Sequence, residues 1–397
     1  MSNPFEFGRE LGSEELVNRT EELETVRNTI ESRGKLFIIG PRRYGKTSIL
    51  KTAAERAEKK GNIVFRYNAE GFPDLGQLVS KIIEDSGNKL KGKIENTGEK
   101  LRKYFVSLRP EISFGISQNE WKVSLGATPS TSTGQVGFLV DALHGIEKLA
   151  ADRPIGQSVA LIIDEFQEIL RDGVSAEKQI RSVIQTHKHT AYIFAGSKTR
   201  MLTELTTDAG RPFYRLGMLL FIGELPRPEF ARFLIDNFVR GGFLPQFGAD
   251  AEKREVADMI LNLAEDVPYN VQMLAHTIWD RLSQIQVGAP EQAILTEQII
   301  SETLEALIRR NDPFYTQFWN GLTAIQKKCL HAVVVEKGER LQSLSVVKST
   351  GVSPSSMRKS IDSLISRDIL RPVETKGTIR FRFEDPFFAH WIKIFTF

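Results

Sequence analysis

Lys35-Leu-Phe-Ile-Ile-Gly-Pro-Arg-Arg-Tyr-Gly-Lys-Thr-Ser48 is a short apolar run, then Gly40-x-x-x-x-Gly45-Lys46-Thr47, then the start of a helical pattern. This spacing is that of a P-loop, a turn from a buried strand into a helix that wraps backbone N–H groups around a polyphosphate. Gly40, Pro41, Arg42, Arg43, Tyr44 and Gly45 form the turn, and Lys46, Thr47 and Ser48 open the helix. Gly40 and Gly45 permit backbone conformations and close approaches that a Cβ blocks. Lys46 is expected to reach the β and γ phosphates of ATP, and the Thr47 hydroxyl to ligate Mg²⁺.

A second apolar run downstream, Ser158-Val-Ala-Leu-Ile-Ile-Asp164-Glu165, ends in two carboxylates. Consecutive apolar residues describe a parallel strand buried on both faces, with its C-terminal end at the ligand crevice. In this Walker B pattern Asp164 holds the metal ion and Glu165 acts as the base that activates water. A carboxylate pair here is also compatible with a plain helix start; the P-loop upstream favours the catalytic reading.

The sequence has 397 residues, too many for one ordinary core, so two or three domains are expected. Its single cysteine, Cys329, rules out an intrachain disulfide and suits a reducing compartment. The first ten residues show no basic-then-apolar leader, and no apolar run approaches the roughly 20 residues that span a bilayer. A cytoplasmic location without membrane contact is therefore expected. Charge is uneven: Gly321 to Phe397 carries 13 Lys and Arg against 7 Asp and Glu, a net of +6, whereas the whole chain is +3. The histidines are scattered; His187 and His189 are two apart and share no helix face, so no histidine metal site is expected.

Between the two motifs, Asn62 to Tyr67 reads as a strand and Leu75 to Ile83 as a helix. Residues 88–135 are polar and glycine-rich. Within them Glu111 to Ser117 and Glu120 to Leu125 alternate as hairpin strands, and Thr128 to Gly134 reads as a loop. This insertion is either a protein-binding element or a surface decoration. A helix, Phe138 to Ala150, precedes the Walker B strand, and a further strand, Ala191 to Ala195, follows it and ends in Gly196-Ser197.

Leu16-Val-Asn-Arg-Thr-Glu-Glu-Leu23, placed before the P-loop, resembles the box that opens archaeal-type AAA+ and STAND ATPases. With the P-loop and Walker B motifs, this resemblance extends over nearly the whole chain. It implies that Arg19 contacts the adenine end of ATP, with Asn18 standing where the family has glycine. It further implies that Ser197 senses the γ-phosphate, a turn serine being the alternative. Asp208-Ala-Gly-Arg211-Pro-Phe-Tyr-Arg215 is similar to a family segment that carries an arginine finger, so Arg211 or Arg215 could reach a neighbouring subunit. Pro268 matches the family proline that packs on adenine.

Glu224-Leu-Pro-Arg-Pro228 stops the sheet domain. Period-3.6 patterns over Glu229–Phe238, Ala251–Leu263, Val271–Gln284 and Glu297–Ile308 predict a helical lid. Beyond it, Phe314 to Leu330 reads as one helical region. Leu341 to Thr350 and Ser353 to Ile365 read as helices, and Ile369–Glu374 with Thr378–Phe383 as a hairpin. Helix, helix, helix, hairpin is the winged-helix plan. Ser355, Ser356, Arg358 and Lys359 lie on the polar face of its third helix, and Lys376 and Arg380 on the wing. These residues suit duplex DNA, although a solvated face packed on the lid gives the same pattern. The aromatic run Phe381 to Ile394 is expected to fill the core.

The expected fold class is α/β: a P-loop NTPase αβα core with a parallel sheet over residues 1–225, a helical lid over 226–312, and a winged helix over 313–397. The expected function is an ATP-hydrolysing AAA+ switch, homo-oligomeric and associated with DNA. The rival is a STAND-like signalling or defence scaffold, in which the winged helix is structural and the partner is a protein.

Overall fold

In the computed structural model, residues 2–12, 15–90, 94–105, 112–117, 120–125, 132–170, 173–244, 249–375 and 377–397 are described. The chain divides into two compact units, Glu10–Gly223 and Met1–Arg9 with Glu224–Phe397. The first contains α1 (Thr20–Glu31), β1 (Lys35–Ile39), α2 (Lys46–Lys59), β2 (Ile63–Asn68), α3 (Leu75–Lys89), α4 (Ile94–Tyr104), β3 (Ile112–Ser117) and β4 (Glu120–Leu125). It continues with α5 (Ser132–Ala151), β5 (Val159–Asp164), α6 (Val174–Ile184), β6 (Thr190–Gly196), α7 (Thr199–Thr207) and β7 (Met218–Phe221).

Five strands form one sheet in the order β2-β5-β6-β1-β7, every neighbouring pair parallel. All residues of β5 and β6 are buried, because helices cover both faces of a parallel sheet. Phe37, Ile39, Leu161, Ile163, Tyr192 and Phe194 join one core with Leu78, Ile82, Leu143, Ile146, Ile180 and Ile184 of α3, α5 and α6. The alternate residues Leu36, Ile38, Ile162 and Ile193 are equally buried on the other face. Since β6 lies between β1 and β5, the ends of all three strands reach the same edge of the sheet side by side.

The stretch 88–135 differs from its expected form in two ways. Helix α4 was not foreseen there; its Leu101 and Tyr104, with Phe105 just beyond, are buried in the main core, so this part of the insertion belongs to the fold. The expected loop 128–134 lies partly outside the described residues, but α5 already begins at Ser132. Short polar residues suit a helix start as well as a loop. Strands β3 and β4 pair antiparallel from Ile112 opposite Leu125 to Ser117 opposite Glu120.

The second unit contains α8 (Arg227–Arg240), α9 (Asp250–Leu263), α10 (Pro268–Gly288), α11 (Glu297–Arg310), α12 (Asp312–Asn320), α13 (Ala324–Val335), α14 (Leu344–Thr350) and α15 (Pro354–Ser366). The hairpin β8 (Leu370–Thr375) with β9 (Thr378–Phe383) and then α16 (Pro386–Phe395) complete it. The region read as one helix is two, because Thr323 starts α13 with a reciprocal capping box to Gln326. The first nine residues were expected with the sheet core and instead belong to this unit. Phe5 is fully buried, with its ring 4.8 Å from Phe238 and 5.9 Å from Trp279. Residues 226–397 pack as one unit: Asp385 accepts from Asn270 of α10 and Tyr315 of α12, and Trp391 Nε1 donates to Asp312 at 2.7 Å. The aromatic run is core, with Phe387, Phe388 and Trp391 buried. Among the described residues, no helix is long and apolar enough to cross a membrane.

Candidate active site

The P-loop leaves β1 at Gly40, where an added Cβ would lie 2.6 Å from the Ile222 carbonyl; only glycine lets the loop pass the end of β7. Gly45 caps α2 with φ 86°, the left-handed region that glycine enters without strain. Lys46 is buried, and its Nζ donates to the carbonyls of Gly40 and Pro41 at 2.8 Å each. The ammonium is thus held inside the curl of the loop. Tyr44 is buried, and the Ser48 hydroxyl accepts from the Leu11 N–H at 3.0 Å, so both side chains brace the loop.

Arg19 braces it too. Its guanidinium is buried and donates to the carbonyls of Gly223 at 2.8 Å and Tyr44 at 3.2 Å, and to Glu22 at 2.7 Å. The expectation gave this group to the adenine; in the structure it ties the P-loop to the segment after β7. Asn18 has φ 34°, a conformation that glycine adopts freely and asparagine tolerates, which accounts for the residue exchange at that position.

At the neighbouring strand ends, the Thr47 hydroxyl donates to Asp164 Oδ2 at 2.6 Å. Burial pushes the Asp164 carboxyl above its usual range and Glu165 adds to this, against the Thr47 hydroxyl and the Lys46 ammonium. Two hard oxygens side by side, one a buried carboxylate, fit a small divalent cation that keeps most of its water. Glu165 turns the chain out of β5 with φ 50° and ψ 43°. Its Oε2 accepts from Ser197 Oγ at 2.7 Å, from Ser197 N at 3.3 Å, and from the amide of Gln167. Arg42 Nε in turn donates to Ser197 Oγ at 3.4 Å. The structure therefore brings Lys46, Thr47, Asp164, Glu165, Ser197 and Arg42 together.

Arg211 and Arg215 are not equivalent. Arg211 forms a two-pronged ion pair with Glu177, whose side chain is fully buried, which holds its guanidinium within its own chain. Arg181 holds the same segment through the carbonyls of Pro212 and Tyr214. Arg215 is exposed and lies over its neighbour Tyr214. Pro268 belongs to the second unit, where it opens α10 after Glu265 and Asp266, both with left-handed backbone. Gln167, Glu177 and Arg181 gave no signal in the sequence, since no spacing rule links them to the motifs.

In the second unit, Ser355, Arg358 and Lys359 are exposed on α15, while Met357, Ile361 and Leu364 are buried. The Ser353 hydroxyl caps the helix and bonds the hydroxyls of Ser355 and Ser356. Arg380 Nε donates to the Lys337 carbonyl at 2.6 Å, tying the hairpin to the segment after α13. Lys376 lies outside the described residues.

A parallel sheet with a P-loop, a neighbouring Asp-Glu strand end and an intervening strand bearing Ser197 defines a P-loop ATPase of the AAA+ type. Residues 16–212 match the family described as an ATPase domain predominantly from Archaea. A search of curated proteins returns no match. A Walker-type ATPase of Pyrococcus abyssi has a similar structure, at TM-score 0.61 and 15% identity over 98% of this chain and 100% of that one. The ORC2 protein of Aeropyrum pernix, solved in ADPNP and ADP complexes, is similar at TM-score 0.53 and 15% identity, over 95% of this chain and 93% of that one.

Proposed function

We propose that the chain is an ATP-controlled switch that acts on duplex DNA and assembles with copies of itself when ATP is bound. Its parts are a nucleotide core up to about residue 225, a helical lid over 226–312 and a winged helix over 313–397. Lys46 and the loop N–H groups hold the phosphates, and Glu165 takes the proton from the attacking water while Ser197 holds its carboxylate. Thr47 and Asp164 would hold Mg²⁺, which supplies charge neutralisation on the β and γ phosphates. The ORC2 protein of Aeropyrum pernix has been solved with ADPNP and with ADP, which supports a fold that carries both nucleotide states. A ligand that binds two conformations unequally shifts their populations, and hydrolysis removes that bias.

The observation that carries the DNA reading is the exposed pair Arg358 and Lys359 on α15, within a segment of net charge +6. Short polar residues and cations on the N-terminal half of a helix suit the major groove, with Ser355 and Ser356 beside them. Arg380 and Lys376 are assigned to phosphates flanking the groove. Reversing Arg358 and Lys359 to Glu should weaken duplex binding and make its salt dependence shallower, by about one unit of slope for each phosphate no longer neutralised. ATP affinity should stay as it is. Wild-type protein that leaves a duplex unshifted at about 50 mM salt, with and without ATP, would overturn the DNA reading in favour of a protein partner, because phosphate contacts are strongest at low salt.

A further inference from the structure

We infer that Gln167 is a positioning residue for ATP hydrolysis, fixing one oxygen of Glu165 so that the other faces the attacking water. The inference rests on the reading of Glu165 as the base. Gln167 follows the Asp164-Glu165 pair on a 3-10 turn, Phe166–Glu168, and its side chain is only 3% exposed. It lies inside the site rather than on the surface. The left-handed backbone of Glu165 swings this turn back beneath the carboxylate, where the Gln167 amide donates to Oε2. The Ser197 N–H and hydroxyl reach the same oxygen from the end of β6. Among the described residues, all hydrogen bonds to the Glu165 side chain end on Oε2.

The space for Gln167 is made by its neighbour across the sheet. A Cβ on Gly196 would lie 2.2 Å from Gln167 Oε1, so the glycine before Ser197 is the gap that the amide fills. Two elements separated in sequence thus converge on one carboxylate oxygen. A base must sit within hydrogen-bond reach of the proton it abstracts. Anchoring Oε2 from the 3-10 turn and from β6 fixes the direction of the lone pairs on Oε1. Ser197 anchors Oε2 from the end of β6; Gln167 anchors it from the side buried in the protein.

The test compares E165Q, Q167L and Q167E in steady-state ATP hydrolysis, with ATP affinity measured on each and kcat followed across pH. Q167L keeps the size and removes the donor; its kcat should fall by about tenfold or more at nearly unchanged ATP affinity, because misplacing a base costs rate rather than binding. Q167E sets a second carboxylate against Glu165, and the acid limb of its kcat profile should move to higher pH, since adjacent carboxylates resist double ionisation. A filler residue would leave that limb where it is. With E165Q inactive, a wild-type rate in Q167L together with an unmoved limb in Q167E overturns the inference alone. An active E165Q overturns the assignment of the base, and the inference with it. Loss of ATP binding in both Gln167 variants would make the residue part of the fold, and would also overturn the inference.

Discussion

If Lys46 binds the phosphates and Glu165 is the base, as proposed, the two serve different stages of one reaction, and single substitutions should separate them. Lys46→Ala removes the cation held in the curl of the loop, so ATP binding should be lost. Glu165→Gln should bind ATP normally and turn over about 10²–10⁴-fold more slowly, the usual range for a general base. Calorimetric titration alongside phosphate release distinguishes the two; normal affinity in the Lys46 variant would count against the P-loop assignment. A pH effect arises at the opposite end of β6. His187 is buried, with Nδ1 2.6 Å from the Tyr192 hydroxyl and Nε2 3.1 Å from His144 Nδ1. Burial pushes its pKa down from 6.5 to about 4; Glu147 opposes the shift, and His144 and Lys35 add to it. The unfolded chain binds a proton at His187 that the folded chain resists, so stability should fall as pH drops from 6.5 to about 4. Thermal melts should show this fall flattened in His187→Gln; an identical slope in the variant would assign it to other groups. Residues of the P-loop and Walker B patterns were legible because fixed spacings carry their chemistry. The ion pair of Arg211 with Glu177 was not, since thirty-odd residues of sequence separate partners that only the packing of α6 brings together.

Asp385 shows how one side chain can join several elements. It caps α16 by accepting from the Phe387 N–H at 3.0 Å, and it also accepts from Asn270 of α10 and Tyr315 of α12. Asp385→Ala should cost about 2–4 kcal/mol, from a lost cap and from buried donors left without their acceptor. Denaturant unfolding followed by tryptophan fluorescence would report it, since Trp391 lies on the capped helix. A loss under about 0.5 kcal/mol, the level of ordinary surface changes, would show that these contacts are dispensable. The same element illustrates what periodicity delivers. Helices of the second unit were legible as apolar stripes, and the hairpin β8–β9 from its alternation around Gly377. Helices α4, α6 and α7 escaped, because α4 sits in a polar, glycine-rich stretch and the other two are short connections between strands. The break between α12 and α13 was hidden for a different reason. A capping box restarts the helix almost at once, so the apolar pattern barely pauses.

For the whole molecule, the exposed Arg215 makes assembly testable. If it reaches the γ-phosphate of a neighbouring copy, ATP turnover per chain should rise with protein concentration. Mixing Arg215→Ala with Glu165→Gln should then restore activity at the interface that has both wild-type residues. Turnover per chain that stays flat across a wide dilution series would make the enzyme a monomer in its working state. Arg211→Ala should behave differently, lowering stability by leaving Glu177 buried without its partner, about 3–5 kcal/mol for a broken buried pair. The division into units was only partly legible: the prolines near 226 mark where the sheet ends, but nothing around Phe5 announces that the first residues leave the sheet behind. That placement bears on synthesis. The ribosome delivers Phe5 before all of Glu10–Gly223, and only afterwards Phe233, Phe238 and Trp279, on which its ring rests. The sheet unit can fold while it emerges, as domains generally do. The segment around Phe5 must wait, its ring unburied, until its socket has been translated. A charge placed at Phe5, as in Phe5→Asp, should therefore hamper the last step of maturation more than the first, giving protein that binds ATP yet aggregates through an unfilled socket.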